Sequence, residues 1–306
     1  MTFIASGQYG CAFSPALPCD LPRPRKKHVG KVFAKDREAI HEQNIQEHII
    51  YKVDPTHTFT VGFLGNCTIT ELSDKDDHAR CPHLWDNSPI RYKQLIYNYG
   101  GVSLDDLLKR PKRSMSLKKI LAAMLPIFKG VAKLNTMGYI HQDIKPANIL
   151  VKDNKCYLID FGICVSRNKI FTASNNHVLV HPYPFYPPEF KLEAAKGSFD
   201  TFTKLVNKNW EHTTYIPVKR TLTTAGVNFE GDLRATWDSQ KRDYKKVDSY
   251  SLGVVLAMIA QHYKKKTQML QELYAIIHNL THQDCVVRLN SDDAATLYEQ
   301  FVKHRC

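Results

Sequence analysis

Two short polar segments, separated by one strand-like stretch, place the tightest constraint on how this 306-residue chain can fold. The first, residues 141–148, contains an aspartate, a lysine and an asparagine, and the second, residues 160–162, begins twelve residues after the asparagine. Residues 155–159 have the character of a short strand that leads into the second segment. The fold must therefore hold two polar turns on separate stretches of backbone, and we expect their side chains to converge.

The residue types in these segments suit the transfer of a phosphoryl group. Such a reaction needs a carboxylate that orients and deprotonates the attacking hydroxyl, and oxygen ligands that hold Mg²⁺ across the phosphates. Asp143 can supply the carboxylate, and Asn148 and Asp160 can supply the oxygen ligands. Lys145 lies two residues after Asp143 and can neutralise charge on the transferred group. We therefore predict catalytic roles for Asp143 and Lys145, and metal ligation by Asn148 and Asp160.

These residues resemble the signature of the eukaryotic-type serine/threonine protein kinase family, H-R-D-x-K-x-x-N followed by D-F-G. The resemblance implies an α+β, two-lobed protein-kinase-like fold with a small β-rich N-lobe and a larger helical C-lobe. It also implies ATP and Mg as cofactors. One position departs from the signature, because Gln142 stands where the family has arginine.

The hydrophobic pattern changes along the chain as this architecture requires. Residues up to about 97 are strand-rich with one predicted helix that Asp36 caps, whereas apolar residues at three- and four-residue steps from Ser116 onwards predict helices. We predict one kinase domain over 1–306, with the N-lobe at 1–98 and the C-lobe at 99–306. Strands are expected at 2–14, 28–34, 58–65 and 91–97, and helices at 36–53, 248–263, 266–280 and 292–304.

The resemblance extends to a glycine-rich loop near the start of the chain. Gly7 and Gly10 match its second and third glycines, whereas alanines replace its first glycine and its valine. Glycine lets backbone N–H groups approach phosphates without a Cβ atom in the way. The nucleotide-binding residues implied here are Ile4, Gly7, Gln8, Tyr9, Gly10 and Ala12.

A lysine after this loop is expected to hold the nucleotide phosphates, and a helix glutamate is expected to hold the lysine. Lys31 and Lys35 both fit the family pattern, and we prefer Lys31 because Lys35 lies past the predicted strand. Glu47 is closest to the usual separation from the lysine, and Glu42 is the alternative.

Two further motifs follow in the order that the family has. Glu189 ends the activation segment and should pair with Arg288, and Asp248 should anchor the catalytic loop as a structural residue. Between Glu189 and Asp248 lie 58 residues, which is too long for a plain connection. We interpret residues 190–247 as an insertion beside the substrate groove, with a surface elaboration that has no partner as the alternative.

Composition excludes several classes of protein. No apolar run has the length that a membrane span needs, and we expect a cytoplasmic protein. The net charge of +12 favours anionic partners. Nucleic acid could bind only through this general charge, because the sequence contains no recognised nucleic-acid motif. The eight cysteines are expected to be reduced packing residues, since Cys67, Cys81 and His83 match no tight zinc spacing.

The proline after Lys145 favours a serine/threonine protein kinase, with a protein substrate that carries a Ser or Thr acceptor. Two alternatives are a small-molecule or lipid kinase on the same fold, and a nucleotide-binding pseudokinase scaffold. Residues 7–19 and the Y-P-P-E-F segment look similar to serine/threonine kinases of large cytoplasmic DNA viruses, which implies the host cytoplasm or the virion as location. Inactive members of the kinase family usually lack at least one of four residues. All four are present here, namely Lys31, Asp143, Asn148 and Asp160.

Overall fold

The computed structural model describes residues 2–7, 9–20, 28–69, 81, 92–110, 115–172, 182–263 and 267–306. The chain divides into two compact units. The first comprises Met1–Gly101 and Tyr157–Ile163, and the second comprises Val102–Cys156 and Cys164–Cys306. The first unit is built on a sheet and the second mainly on helices, in the order that the hydrophobic pattern predicted.

The sheet of the first unit has five antiparallel strands in the order β1-β2-β3-β5-β4. The central strand β3 places Lys31 opposite Ala12 on one side and Leu95 on the other. Phe13, Val32 and Leu95 are buried, and the removal of this apolar surface from water stabilises the sheet. The strands are β1 (Thr2–Ser6), β2 (Gly10–Ser14), β3 (His28–Phe33), β4 (Phe63–Ile69) and β5 (Tyr92–Asn98).

The helical segment after β3 consists of α1 (Asp36–Ile45), a π-helical turn (Gln46–Ile50) and the short α2 (Tyr51–Val53). Asp36 does not cap this segment as predicted. The extended backbone of an N-cap belongs to Lys35, and Asp36 lies in the first turn, where its negative charge interacts favourably with the helix dipole.

The strand predicted at 58–65 begins only at Phe63, because Asp54 holds the preceding residues in a turn. The carboxylate of Asp54 accepts the backbone N–H groups of Thr58, Phe59 and Thr60 at 2.7, 3.0 and 2.9 Å. N–H groups that bond to a carboxylate are not available to a strand ladder. Burial alone would raise the pKa of Asp54, but these hydrogen bonds lower it.

Residues 157–163 belong to the first unit, although the sequence predicted a single division at residue 98. The backbone N–H of Leu158 donates to the carbonyl of Phe59 at 2.7 Å, and Leu158 also forms a parallel bridge with Thr60. These bonds make the segment before Asp160 an extension of the sheet-containing unit.

Four of the eight cysteines form two disulfides, which corrects the expectation of reduced thiols. Cys11 bonds to Cys81 and Cys19 bonds to Cys67, across 70 and 48 residues of sequence. Pairing over such separations depends on how the strands align, which the spacing of the cysteines does not reveal. Cys67 and Cys81 therefore belong to different disulfides, and His83 lies outside the described residues. The free cysteines are Cys156, Cys164, Cys285 and Cys306.

Thiol counting tests this pairing. Ellman's reagent is expected to detect four thiols in the denatured, unreduced protein and eight after reduction. Cys156→Ser, at a free cysteine, should lower the unreduced count to three. Eight reactive thiols before reduction would contradict the pairing.

The second unit contains eight α-helices among the residues that the structure describes. They are α3 (Leu104–Lys109), α4 (Leu117–Thr136), α5 (Phe199–Lys208), α6 (Ile216–Thr224), α7 (Phe229–Ser239), α8 (Val247–His262), α9 (Gln268–Thr281) and α10 (Ser291–Arg305). In the described parts of both units, none of the helices has the length and apolar character to cross a membrane.

Short strands connect these helices. Strand β6 pairs with β8 and β7 pairs with β10, both antiparallel. The strands are β6 (Val102–Ser103), β7 (Tyr139–Ile140), β8 (Ile149–Lys152), β9 (Lys155–Leu158), whose last two residues lie in the first unit, and β10 (Val165–Ser166).

The core of the second unit forms around α4, α8 and α10. Helix α4 begins after Ser116, where the sequence predicted the start of a helix, and the Ser116 hydroxyl accepts the backbone N–H of Lys119 and so caps the helix. The ring of Phe128 on α4 stacks on Tyr298 of α10 with 3.9 Å between centroids, and the Tyr298 hydroxyl donates to the carbonyl of Leu121. Nearly every residue of α8 is buried, which makes α8 the central helix.

The segment 190–247 is folded into the second unit through α5, α6 and α7. Phe202 and Val206 on α5 pack with Leu233 on α7 in one buried cluster. The hydroxyl of Thr236 donates to the carbonyl of Gln283 and ties α7 to the segment after α9. The segment therefore has its own core and is attached by specific hydrogen bonds.

Glu189 and Arg288 form the ion pair that the sequence predicted. The guanidinium donates to the two carboxylate oxygens at 2.6 and 3.0 Å, and both side chains are completely buried. Removal of one partner would leave the other charge without compensation in a medium of low polarity.

We therefore expect Glu189→Gln to lower the free energy of unfolding by about 3–5 kcal/mol, because Arg288 loses its counter-charge. Glu193 pairs with Arg242 at the surface, so Glu193→Gln should cost less than about 0.5 kcal/mol. Urea unfolding measures the free energy of unfolding of both variants. Equal decreases in the two variants would show that burial does not increase the contribution of the Glu189–Arg288 pair to stability.

Candidate active site

Asp248 of α8 anchors the loop 141–148 through hydrogen bonds to its backbone. The carboxylate of Asp248 accepts the backbone N–H groups of His141 and Gln142 at 2.9 and 3.0 Å, and the side-chain amide of Asn135 at 2.9 Å. Gln142 has a φ of 68°, a backbone conformation that costs energy for a residue with a side chain. The predicted structural role of Asp248 is confirmed, since its bonds hold the loop in this shape.

Three of the predicted site residues meet in this loop. The Oδ2 atom of Asp143 accepts hydrogen bonds from Lys145 Nζ at 2.9 Å and from Asn148 Nδ2 at 2.8 Å. Asn148 Nδ2 also donates to the carbonyl of Asp143 at 2.9 Å. The carboxylate is thus held in one orientation, with 15% of its side chain exposed.

Tyr183 also contacts the carboxylate, and the sequence did not point to it. Its hydroxyl donates to Asp143 Oδ1 at 2.6 Å. Burial raises the pKa of the Tyr183 phenol, and the negative charge of Asp143 raises it further, so Tyr183 stays protonated and can only donate to the carboxylate. The one available signal was the absence of the threonine that the kinase family has in this neighbourhood.

The predicted lysine of the first unit lies between two carboxylates. Lys31 Nζ is 2.6 Å from Glu42 Oε2 and 2.8 Å from Asp160 Oδ1. Burial alone would lower the pKa of Lys31, but Asp160 and Glu42 together raise it above its ordinary value, so the lysine stays charged. Lys35 is the N-cap of α1 and lies past the end of β3.

The prediction of Glu47 as the partner of this lysine is wrong. Glu47 is exposed and accepts a hydrogen bond from Gln43, whereas Glu42 is buried. Ala39, Glu42 and Ile45 recur at three-residue steps and form the buried face of α1. The sequence did not mark this face, because the apolar Ile40 on the same helix is exposed and the charged Glu42 is buried.

Tyr97 on β5 completes the group around Glu42. Its hydroxyl donates to Glu42 Oε1 at 2.9 Å, so both oxygens of this buried carboxylate are hydrogen-bonded. Burial raises the pKa of Tyr97, and the charge of Glu42 adds to this effect. The sequence alone did not reveal this contact, because Tyr97 reads as an ordinary strand residue.

The glycine-rich segment forms the turn between β1 and β2. The backbone N–H of Gly7 donates to the carbonyl of Gly10 at 2.8 Å. A Cβ atom on Gly10 would lie 1.9 Å from the carbonyl oxygen of Val32, so only glycine fits there. Ile4 is exposed, Tyr9 accepts a backbone hydrogen bond from Ala34, Ala12 lies on β2, and Gln8 lies outside the described residues.

Residues 83–198 match the family model for the protein kinase domain, and this range contains both polar segments, 141–148 and 160–162. The B1 kinase of Vaccinia virus (strain Copenhagen) is 29% identical over 98 residues, which is 31% of this chain and 31% of the viral protein. The resemblance to protein kinases is confirmed.

The viral relative also bears out the predicted similarity to kinases of large cytoplasmic DNA viruses. The match spans about a third of the length of that relative. The glycine-rich turn and Lys31 precede the range that the family model matches, so their roles with a nucleotide remain predictions.

Paired substitutions on α1 and the π-helical turn test the assignment of Glu42. Glu42→Gln should lower the free energy of unfolding by about 3 kcal/mol, because Lys31 loses one of its two counter-charges in a buried site. Glu47→Gln should change it by less than about 0.5 kcal/mol, since Glu47 is exposed. Chemical unfolding at neutral pH measures the free energy of unfolding of both variants. A larger decrease in Glu47→Gln than in Glu42→Gln would reverse the assignment.

Proposed function

We propose that this chain is an ATP-dependent serine/threonine protein kinase with the two-lobed kinase fold. It would transfer the γ-phosphoryl group of ATP to a serine or threonine hydroxyl of a protein. The observation that carries the proposal is the arrangement around Asp143, whose carboxylate is bonded by Lys145 and Asn148 in a loop that a buried aspartate anchors.

Asp143 is the general base in this proposal. Its carboxylate accepts the proton of the acceptor hydroxyl as the oxygen attacks the γ-phosphorus, and the bond from that phosphorus to the β–γ bridging oxygen breaks, which releases ADP. Lys145 lies beside the same carboxylate with about a third of its side chain exposed, so its charge can stabilise the equatorial oxygens of the phosphoryl group. The proline that follows Lys145 supports a serine or threonine acceptor, as in the resembling family.

Asn148 and Asp160 are the proposed Mg²⁺ ligands. Amide and carboxylate oxygens are the hard donors that Mg²⁺ prefers. The Nδ2 atom of Asn148 makes its hydrogen bonds to Asp143, so its Oδ1 atom is the one that suits a cation. When bound, the ion would neutralise negative charge on the phosphates. Asn148 and Asp160 belong to different units, so this joint role rests on the sequence motif.

The nucleotide phosphates would be held by the first unit. Lys31 is charged and fixed by Glu42 and Asp160, which suits a lysine that pairs with phosphate oxygens. The turn at Gly7 and Gly10 would place backbone N–H groups over the phosphates. The match to a vaccinia virus kinase supports a viral enzyme that acts in the host cytoplasm or is carried in the virion.

Asp143→Asn tests the proposal. It keeps the size of the side chain but removes the base, so we expect phosphoryl transfer to fall by about 10²–10⁴-fold with nucleotide binding retained. Transfer of radiolabelled phosphate to mixed acidic and basic proteins measures activity, and titration with a fluorescent ATP analogue measures binding. The matched control is Asp153→Asn, at an exposed turn of the same unit.

Phosphoamino-acid determination on the labelled proteins identifies the acceptor. Phosphoserine and phosphothreonine are expected. Full activity in Asp143→Asn would remove Asp143 from the mechanism. Labelling of lipids or small metabolites in place of proteins would favour a kinase of another substrate class, and nucleotide binding without transfer would indicate a scaffold.

A further inference from the structure

Among the residues that the structure describes, the hydrogen-bond donors to the carboxylate of Asp143 leave one lone-pair position for an acceptor hydroxyl. An ionised carboxylate has about four lone-pair positions, two on each oxygen. Oδ2 uses both of its positions for Lys145 and Asn148, and Oδ1 uses one for Tyr183. The second position on Oδ1 is therefore the one from which Asp143 can accept the substrate proton.

Tyr183 donates to the same oxygen, so it determines the direction of the remaining lone-pair position on Oδ1. The phenol oxygen lies 2.6 Å from Oδ1, a short distance that is typical of hydrogen bonds to ionised groups. Without this donor, the carboxylate is held only through Oδ2 and can tilt about that atom. Tilting moves the reactive oxygen, and a displacement of about 1 Å can cost about 10²-fold in rate.

The insertion 190–247 holds Tyr183 in place. The backbone N–H of Tyr183 donates to Asn209 Oδ1 at 2.9 Å, and Asn209, which follows the last residue of α5, is only 3% exposed. The bond fixes the main chain at Tyr183. It connects the packed end of a helix in the insertion directly to the residue that contacts the base.

Aromatic contacts fix the ring of Tyr183 as well. Its centroid lies 4.6 Å from that of Tyr186 and 5.2 Å from that of Phe185. Phe185 in turn meets Tyr215 of the insertion edge-on at 6.1 Å. Lys145 Nζ lies 5.6 Å from the Tyr183 ring, where the positive charge interacts favourably with the ring face. Main chain and ring are thus both restrained, and the hydroxyl has a defined position.

We propose that Tyr183 is a positioning residue for Asp143, and that the insertion 190–247 serves to hold Tyr183 through Asn209. This inference rests on the proposed kinase function and deepens it. Tyr183 does not block the base, because one lone-pair position of Oδ1 stays available. The insertion therefore supports the base indirectly, through Asn209 and Tyr183.

Steady-state kinetics of the full chain with ATP and a protein acceptor test the inference. Tyr183→Phe keeps the ring and removes the donor, and we expect kcat to fall by about 10–100-fold with the KM for ATP within about twofold. A merely structural residue would lower the fraction of folded enzyme, which thermal unfolding would detect. We expect the unfolding midpoint to stay well above the assay temperature.

Variants of Asn209 test the link to the insertion. Asn209→Ala removes the acceptor and should lower kcat by about 3–10-fold, whereas Asn209→Asp keeps an acceptor oxygen and should restore activity to within about twofold. Asn209→Ala should have no further effect in the Tyr183→Phe enzyme, because both changes act through one contact. The control is Asn207→Ala, an exposed asparagine near the end of the same helix.

A stability cycle gives a readout that does not depend on activity. Tyr183→Phe should lower the urea midpoint of the wild-type protein and should not lower that of Asp143→Ala, in which the acceptor is gone. An equal effect in both backgrounds would show that the Tyr183–Asp143 bond does not contribute, and would overturn the inference.

The remaining outcomes separate this inference from the proposed function. An active wild type with unchanged or increased kcat in Tyr183→Phe would overturn the positioning role alone. Phosphate on Tyr183 after incubation with ATP, detected by mass spectrometry, would make Tyr183 an acceptor and would likewise overturn it. A wild type that transfers no phosphate to any acceptor would overturn the proposed function and this inference together.

Discussion

The hydrogen bonds of the buried Asp248 carboxylate are the interaction on which the shape of the loop 141–148 depends. Asp248 lies on the central helix of the second unit and satisfies two consecutive backbone N–H groups, those of His141 and Gln142. A buried charge is tolerated only where hydrogen bonds compensate for the loss of water, and here the compensation comes from the loop itself. The loop and the helix core therefore stabilise each other. The same hydrogen bonds fix the position of Asp143, which follows Gln142 in the loop.

The charged groups of the first unit follow the same rule. Lys31 is largely buried but has two carboxylate partners, and Glu42 has a lysine and a tyrosine. Each charge is compensated by groups from different parts of the unit, namely β3, α1, β5 and the segment before residue 163. A lysine held in this way stays charged and has little freedom, which suits the binding of a phosphate.

The segment 190–247 contributes to the surroundings of Asp143. In many proteins, a long surface segment adds little to the packing of the core, but here it has a buried cluster and ends α5 on an asparagine that bonds to the chain beside Asp143. Its contribution is geometric. It supplies the restraint that turns an aromatic residue into a fixed hydrogen-bond donor to the carboxylate of Asp143.

Features that depend on local spacing or on a motif could be predicted before the structure was known. Asp143, Lys145 and Asn148 lie within six residues, so a short loop brings them together, and the pairing of Glu189 with Arg288 followed from the family's order of motifs. The outline of a sheet-rich part followed by helices came from hydrophobic periodicity.

Contacts between distant segments became known only from the folded chain. The choice of Glu42 over Glu47 depends on which face of α1 is buried, and the disulfides depend on how strands align across 70 and 48 residues. The contact of Tyr183 with Asp143 spans 40 residues, and the main chain at Tyr183 is bonded to Asn209 of the segment 190–247. The physical reason is the same in each case: local geometry follows from the backbone, whereas the partner of a side chain is set by which surfaces the whole chain buries.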